Sequence, residues 1–426
     1  MADLDGVKIR KGKIGANTIN NGDGISGLIV ACVKPEGLEF GEVVTFFNTI
    51  DAESKGITQS FDDANGVNLY RHISEFFRMA GEGKKLYCMV VAADTPMSRI
   101  CEDVDAQYAK KLLIEADGEV KQIAVAINPP NLAIDPDDPN PPIGVIHLNG
   151  LPIDVYNSIA PAQALALWAY DHHFPCQIFL EGYHFKGPAL SAADLRALTV
   201  KATKVSLVIG QDWQYAETRV GNAQLFAEVG TALGTLSAAS INQNMGENES
   251  FNLTNAPRKI WLVPGLSSHQ KNKDVFNQLQ TLEDKGFIFG LSYTGLDGVR
   301  WNNDHTCTEI VRDSEGNVNE HTIAFGRTLD KAKRLLRTAL LPKVKSTHPV
   351  DPTTGKLPVG VIKNFEGIGN TELGRMVAAK EITAGVTIVD PNSDLIVEKT
   401  LKVDFRIVPY GSIGEIFGTI NLKTNI

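Results

Sequence analysis

Five segments of this chain are apolar along almost their whole length: SGLIVACV (26–33), LYCMVVAA (86–93), QIAVAI (122–127), CQIFLEG (176–182) and KVSLVIG (204–210). A strand with one wet face alternates polar and apolar residues; these do not. Continuous runs of β-formers belong inside a mostly parallel sheet covered on both faces. The intervening stretches carry helical periodicity, expected over 67–80 with Gly81 as its stop, 102–116, 159–170, 191–200 and 222–237. The fold class expected is α/β (α+β overall): a layered α/β core with mixed sheets.

At 426 residues, and roughly 150 per domain, the chain should form two or three domains. Its net charge of −9 disfavours a nucleic-acid binder, which is normally basic. The N-terminus, MADLDGVKIRKGK, lacks the apolar stretch of a signal peptide, and no run approaches the ~20 apolar residues of a membrane span. Neither secretion nor direct membrane insertion is expected. Five scattered cysteines without a CxxC fit a reducing, bacterial-type cytoplasm.

The familiar chemical motifs fail on context. Gly22-Asp-Gly24-Ile-Ser-Gly27 matches GxGxxG, but polar residues precede it and strand formers follow, the reverse of a dinucleotide fingerprint. Asp135–Asn140 opens like a calcium loop, yet has prolines at 136 and 139 and Ile146 where the closing glutamate belongs. The six prolines of 128–142 suit a surface loop. Asp171, His172, His173 and His184 form the densest group of candidate metal ligands and mark the site of an alternative α/β enzyme. Adjacent histidines point to different faces of a regular element, however, which favours a structural turn. Asp304–Cys307 reads as a turn with a buried cysteine rather than a catalytic pair. No catalytic residue, cofactor or metal is assigned.

Two features remain. The run from Arg327 to Lys345 holds seven cations and one acid, Asp330. On a helix over about 328–341, Leu329, Ala332, Leu335, Leu336, Ala339 and Leu340 share one face. Lys331, Arg334 and Arg337 fall on the other, which reads either as a solvated outer face or, because crowded like charges gain nothing from one another, as a surface for an acidic protein partner. The second feature is at the ends. Val7 and Ile9 alternate with Lys8 and Arg10; Leu401 to Ile407 alternate; and Ile416, Ile420 and Leu422 recur in a further strand-like stretch. Terminal strands of this kind either pair within the subunit or add to a neighbour's sheet, in which case head-to-tail contacts propagate into rings or helical arrays.

Four segments carry a resemblance: GTLSAASINQNMGE (234–247), GFIFGLSYTGLDGVRWNNDHTCT (286–308), IAFGRTLDKAKRLLRTALLPKV (323–344) and VDFRIVPYGSIGEIFGTINL (403–422). In their order, and in the position of the last at the chain end, the sequence resembles the contractile tail sheath proteins of bacteriophages and phage-derived contractile injection systems. The resemblance implies an N-terminal arm over 1–24, an α/β N-terminal and outer region over 25–257, a sheath C-terminal core over 258–408 and a C-terminal β-arm over 409–426. It implies a structural subunit in hexameric rings stacked around an inner tail tube protein, meeting baseplate and tail terminator proteins, and no enzyme. Its place would be a virion tail or a cytoplasmic injection particle. Arms carrying Val7 and Ile9, and Ile416, Ile420 and Leu422, would be exchanged between subunits. Lys331, Arg334 and Arg337 would face the tube, with the helix near 371–381 as their rival.

Overall fold

The computed structural model describes residues 22–129 and 145–423. The six strands of the main sheet are β1 (Ser26–Ala31), β2 (Val43–Phe46), β3 (Leu86–Val91), β4 (Gln122–Ile127), β5 (Gln177–Glu181) and β6 (Val205–Val208). Their spatial order is β2-β3-β1-β4-β5-β6. All neighbours are parallel except the edge strand β2, which runs antiparallel to β3. The register is unbroken, Ser26 lying opposite both Leu86 and Gln122.

The alternation absent from the polarity pattern reappears as a choice between two apolar layers. Ile29, Met89, Val125 and Ile178 point to one side, where helices α2 (Tyr108–Glu115), α3 (Ile153–Asp171) and α5 (Phe276–Asp284) cover them. Leu28, Val30, Cys88, Ala124 and Phe179 point to the other, under α1 (Leu69–Ala80) and α4 (Val229–Ala238). A sheet buried on both faces needs every strand residue to be apolar or satisfied, which is the pattern of the five runs. All five cysteines are buried and free.

Helices α1 and α4 cross at very short range. A Cβ on Gly230 would lie 2.3 Å from the carbonyl oxygen of His72, and one on Gly234 2.5 Å from that of Phe76. Arg71, buried at this crossing, pairs with Glu228 at 2.6 Å and Asp212 at 3.0 Å, and lies 4.1 Å over the Tyr215 ring. Burial pushes the Glu228 carboxyl up to about 7 against the pull of Arg71.

Several sequence expectations require correction. Residues 191–200 are not a helix: only a 3-10 turn, Ala189–Ser191, forms there. The Asp194 side chain accepts from the amides of Arg196 and Ala197, a local turn that competes with a helical ladder. The helix expected over 222–237 is split into the 3-10 turn Gly221–Leu225 and α4, because Glu181 takes the amide of Ala227 and Gln211 takes the carbonyls of Gln224 and Phe226. The acidic stretch is helical only from Tyr108. The domain boundary at 257/258 does not separate two cores: Trp261, Ile288 and Trp301 pack in the same layer as Leu28, and Phe287 and Phe289 in the same layer as Ile29. The α/β body extends to Ile323.

Beyond it, α6 (Ile323–Leu340), α7 (Val359–Ala378) and the antiparallel hairpin β7 (Ile382–Val389) with β8 (Val403–Pro409) build a second, smaller core. Ala332, Leu336, Leu373, Met376 and Ile382 form its centre, with Phe405 and Ile407 against them.

Candidate assembly surface

The hairpin shows how a half-buried strand becomes an interface. In β8, Phe405 and Ile407 face α6 and α7, while Asp404, Arg406 and Val408 face out. Strands β7 and β8 pair only with each other among the described residues; the outward amides of Thr387 and Val389 in β7 are taken by Asn370 and Glu366 of α7, so the unpaired strand edge is that of β8. After Pro409 the chain continues to residue 423 without a strand partner. Along it Ile416 is 85%, Phe417 91% and Ile420 96% exposed, and Leu422 is fully exposed. The strand-like stretch around Ile416, Ile420 and Leu422 is therefore unpaired among the described residues. Burying each such side chain elsewhere would be worth about 1.5–3 kcal/mol. Val7 and Ile9 lie outside the described residues, as do the candidate calcium loop at 135–140 and most of the proline-rich segment.

The basic helix is where the structure departs furthest from expectation. α6 starts with two caps: Thr322 Oγ1 accepts from Phe325 N, and Asp304 Oδ2 from Ala324 N at 2.9 Å. Its cations are then largely consumed inside the subunit. Lys331 pairs with Asp23 at 2.7 Å and with Glu381, and Arg334 reaches the other Asp23 oxygen at 2.8 Å. Arg327 is buried, donates to the carbonyls of Ser240, Ala239 and Asp23, and is pushed down to about 10 by that burial. Lys333 donates to the carbonyl of Tyr170. Burial alone would raise the Asp23 carboxyl, but Lys331 and Arg334 hold it below the usual range.

The acidic partner that the sequence demanded is thus the chain itself. Lys331 and Arg334 are held by acids of their own subunit, while Arg337 makes no ion pair with a described residue. Asp23 hides in the failed GxGxxG and Glu381 in the turn between α7 and β7. A pairing that spans 308 positions leaves no mark in sequence. The lone acid Asp330 was the available signal: it is buried against Lys204 and Gln177, seating α6 on the sheet.

The other candidates separate. His172 stacks on Trp168 at the end of α3, and His173 follows it with φ 73°. His184 lies beyond the far end of β5, its ring 4.9 Å from that of His147. Among the described residues, no group of three or more side chains could hold a metal ion. Gly24 and Gly27 serve packing, since Cβ atoms there would meet Ser237 and Leu112 within 3 Å. Cys307 is buried and its amide donates to Val205 O. A polar depression of about 440 Å³ is lined by Gln59, Asp63, Tyr215 and Arg219, but the terminal nitrogens of Arg219 are bonded to Asp63, Asp62 O and Val67 O. No helix among the described residues is long and apolar enough to cross a membrane.

An α/β body carrying a capped helix, a second core and a terminal hairpin is a fold with counterparts among solved structures. Over 99% of each chain it is similar to a chain of the anti-feeding prophage (AFP) helical sheath in contracted state, at TM-score 0.55 and 12% identity. A chain of the 6-fold symmetrised AFP baseplate gives 0.55 and 13%, covering 100% of both chains. The PVC sheath complex of an extracellular contractile injection system, in contracted state, gives 0.54 and 8%, covering 100% of this chain and 99% of that one. At these identities the likeness is one of fold. The chain belongs to the DUF2586 family: the N-terminal domain of that family matches residues 4–305 and the C-terminal domain 321–426. No curated protein matches it.

Proposed function

We propose that this protein is the structural subunit of a contractile sheath, polymerising as stacked rings around an inner tube. The carrying observation is the combination of a hairpin with an unpaired β8 edge and a terminal stretch whose apolar residues, Ile416, Phe417, Ile420 and Leu422, find no cover among the described residues. A second copy offers complementary chemistry: a free strand edge for the backbone and an apolar surface for alternate side chains. The donor segment leaves one place and docks at another, so the contact is heterologous and propagates. Work would come from the difference between two lattice packings rather than from a nucleotide.

The inner tube would be met by the C-terminal region, with baseplate and tail terminator proteins at the ends of the sheath. With Lys331 and Arg334 occupied, α7 is the better tube-facing candidate. It exposes Val359 at 70%, and among the described residues its Lys363 and Arg375 pair with Glu366 and Glu372 on the same helix. Electron microscopy of purified full chain tests the reading. Hollow helical tubes that disappear on deleting residues 413–426 are expected. A stable monomer, unchanged by the deletion, overturns it.

A further inference from the structure

Lys331 holds the bases of both terminal segments at once. Its ammonium lies 2.7 Å from Asp23 Oδ2 and also donates to Glu381 Oε1. Asp23 stands three residues before β1 begins, and Glu381 immediately precedes β7. The two carboxylates lie 308 and 50 positions away from the lysine in sequence. The side chains of Lys331, Asp23 and Glu381 are only 15%, 15% and 11% exposed, so water screens the two pairs incompletely. Around them Arg334 takes the second Asp23 oxygen, Arg327 takes the Asp23 carbonyl at 3.3 Å, and Asn242 donates to the carbonyl of Lys380 at 3.1 Å.

The base on which this rests does not yield easily. α6 is seated on the main sheet by Lys204 and Asp330, and its first turn is capped by Asp304. A long flexible lysine loses up to about 2 kcal/mol of rotamer freedom when it is held at its tip. Two carboxylates from opposite ends of the chain restore that loss only where both roots sit in place together. Among the described residues, no other ion pair joins residues 22–25 to the hairpin: Asp23 reaches Glu381 through Lys331.

We infer that Asp23, Lys331 and Glu381 are positioning residues that couple the root of the N-terminal segment to the root of the C-terminal hairpin. This rests on the reading that the terminal segments link neighbouring subunits. In such a lattice, a displacement imposed on one arm is carried across α6 to the other, and the arms of one subunit move as a unit.

Hydrogen exchange on the unassembled full chain tests the coupling directly. Asp23→Asn should accelerate exchange about three- to tenfold not only in residues 22–28 but also in 379–385, and Glu381→Gln should do the converse. Lys331→Met should loosen both, and Lys331→Arg should restore both. Exchange that rises only in the segment carrying the substitution, with the thermal midpoint and near-ultraviolet dichroism unchanged, overturns the bridge. The measurement needs no assembly, so it is independent of tube formation. If wild-type tubes form, Lys331→Met tubes should lose helical regularity; regular tubes from a variant with both roots loosened would overturn the positioning role. Absence of wild-type tubes would instead overturn the strand-exchange reading.

Discussion

The ammonium of Lys204 lies 2.7 Å from the carboxylate of Asp330, and both side chains are 3% exposed. Glu320 shares the lysine and Gln177 shares the aspartate. Breaking a buried pair strands the surviving charge, so Lys204→Met should destabilise the subunit by about 3–5 kcal/mol. Asp330→Asn should cost less, because the amide still accepts from Gln177. Urea unfolding of the single and double variants checks this, and the double variant should be markedly more stable than the sum of the two losses.

Gly230 and Gly374 provide opposite outcomes from one substitution. Alanine at 230 would place its Cβ 2.3 Å from the His72 carbonyl oxygen, forcing α1 and α4 apart. The expected loss is about 1–3 kcal/mol despite alanine's higher helix propensity. At Gly374 nothing lies within 4 Å of that position, and Gly374→Ala should stabilise by about 0.5–1 kcal/mol. Thermal denaturation of the two variants gives the contrast; equal signs would contradict it.

Asp304 makes stability depend on pH. Burial pushes its carboxyl up to about 7, outweighing the hydrogen bond from Ala324. In the unfolded chain it titrates near 4, so between about pH 4 and 7 the native state holds the proton and the unfolded state does not. Its contribution to stability therefore falls as pH rises through that window. Asp304→Asn keeps an acceptor for Ala324 and removes the titration. The stability of the variant relative to wild type should improve from pH 5 to pH 8 in urea titrations, whereas a constant difference would show that Asp304 is ionised throughout.

Residues exposed for assembly should be dispensable for folding. Replacing Ile416, Ile420 and Leu422 together by serine should leave the thermal midpoint within experimental error, a change of at most about 0.5 kcal/mol, since they are almost wholly exposed. Self-association, read by light scattering and sedimentation, should be lost. A destabilised monomer would mean that the segment packs on its own subunit.

The strands of the main sheet were legible because each is a short apolar run with a turn on either side, so burial on two faces is written into composition. α1 was equally plain, with Gly81 closing it at φ 86°. What misled was local propensity where tertiary hydrogen bonds intervene. Asp194 turns 191–200 away from a helix, and Glu181 and Gln211 break the one expected over 222–237. The terminal segment from 411 to 423 has the alternation of a strand but no partner among the described residues, and a strand without a neighbour cannot form a ladder.

Charge divides the two sources of information most clearly. Periodicity alone placed α6, gave it an apolar face and showed that its cations needed acids, because those properties depend on neighbours three and four residues apart. Which acids they meet depends on contacts across hundreds of positions. Only the folded chain brings Asp23 and Glu381 to Lys331, and turns a surface that looked addressed to another protein into the joint between the two ends of this one.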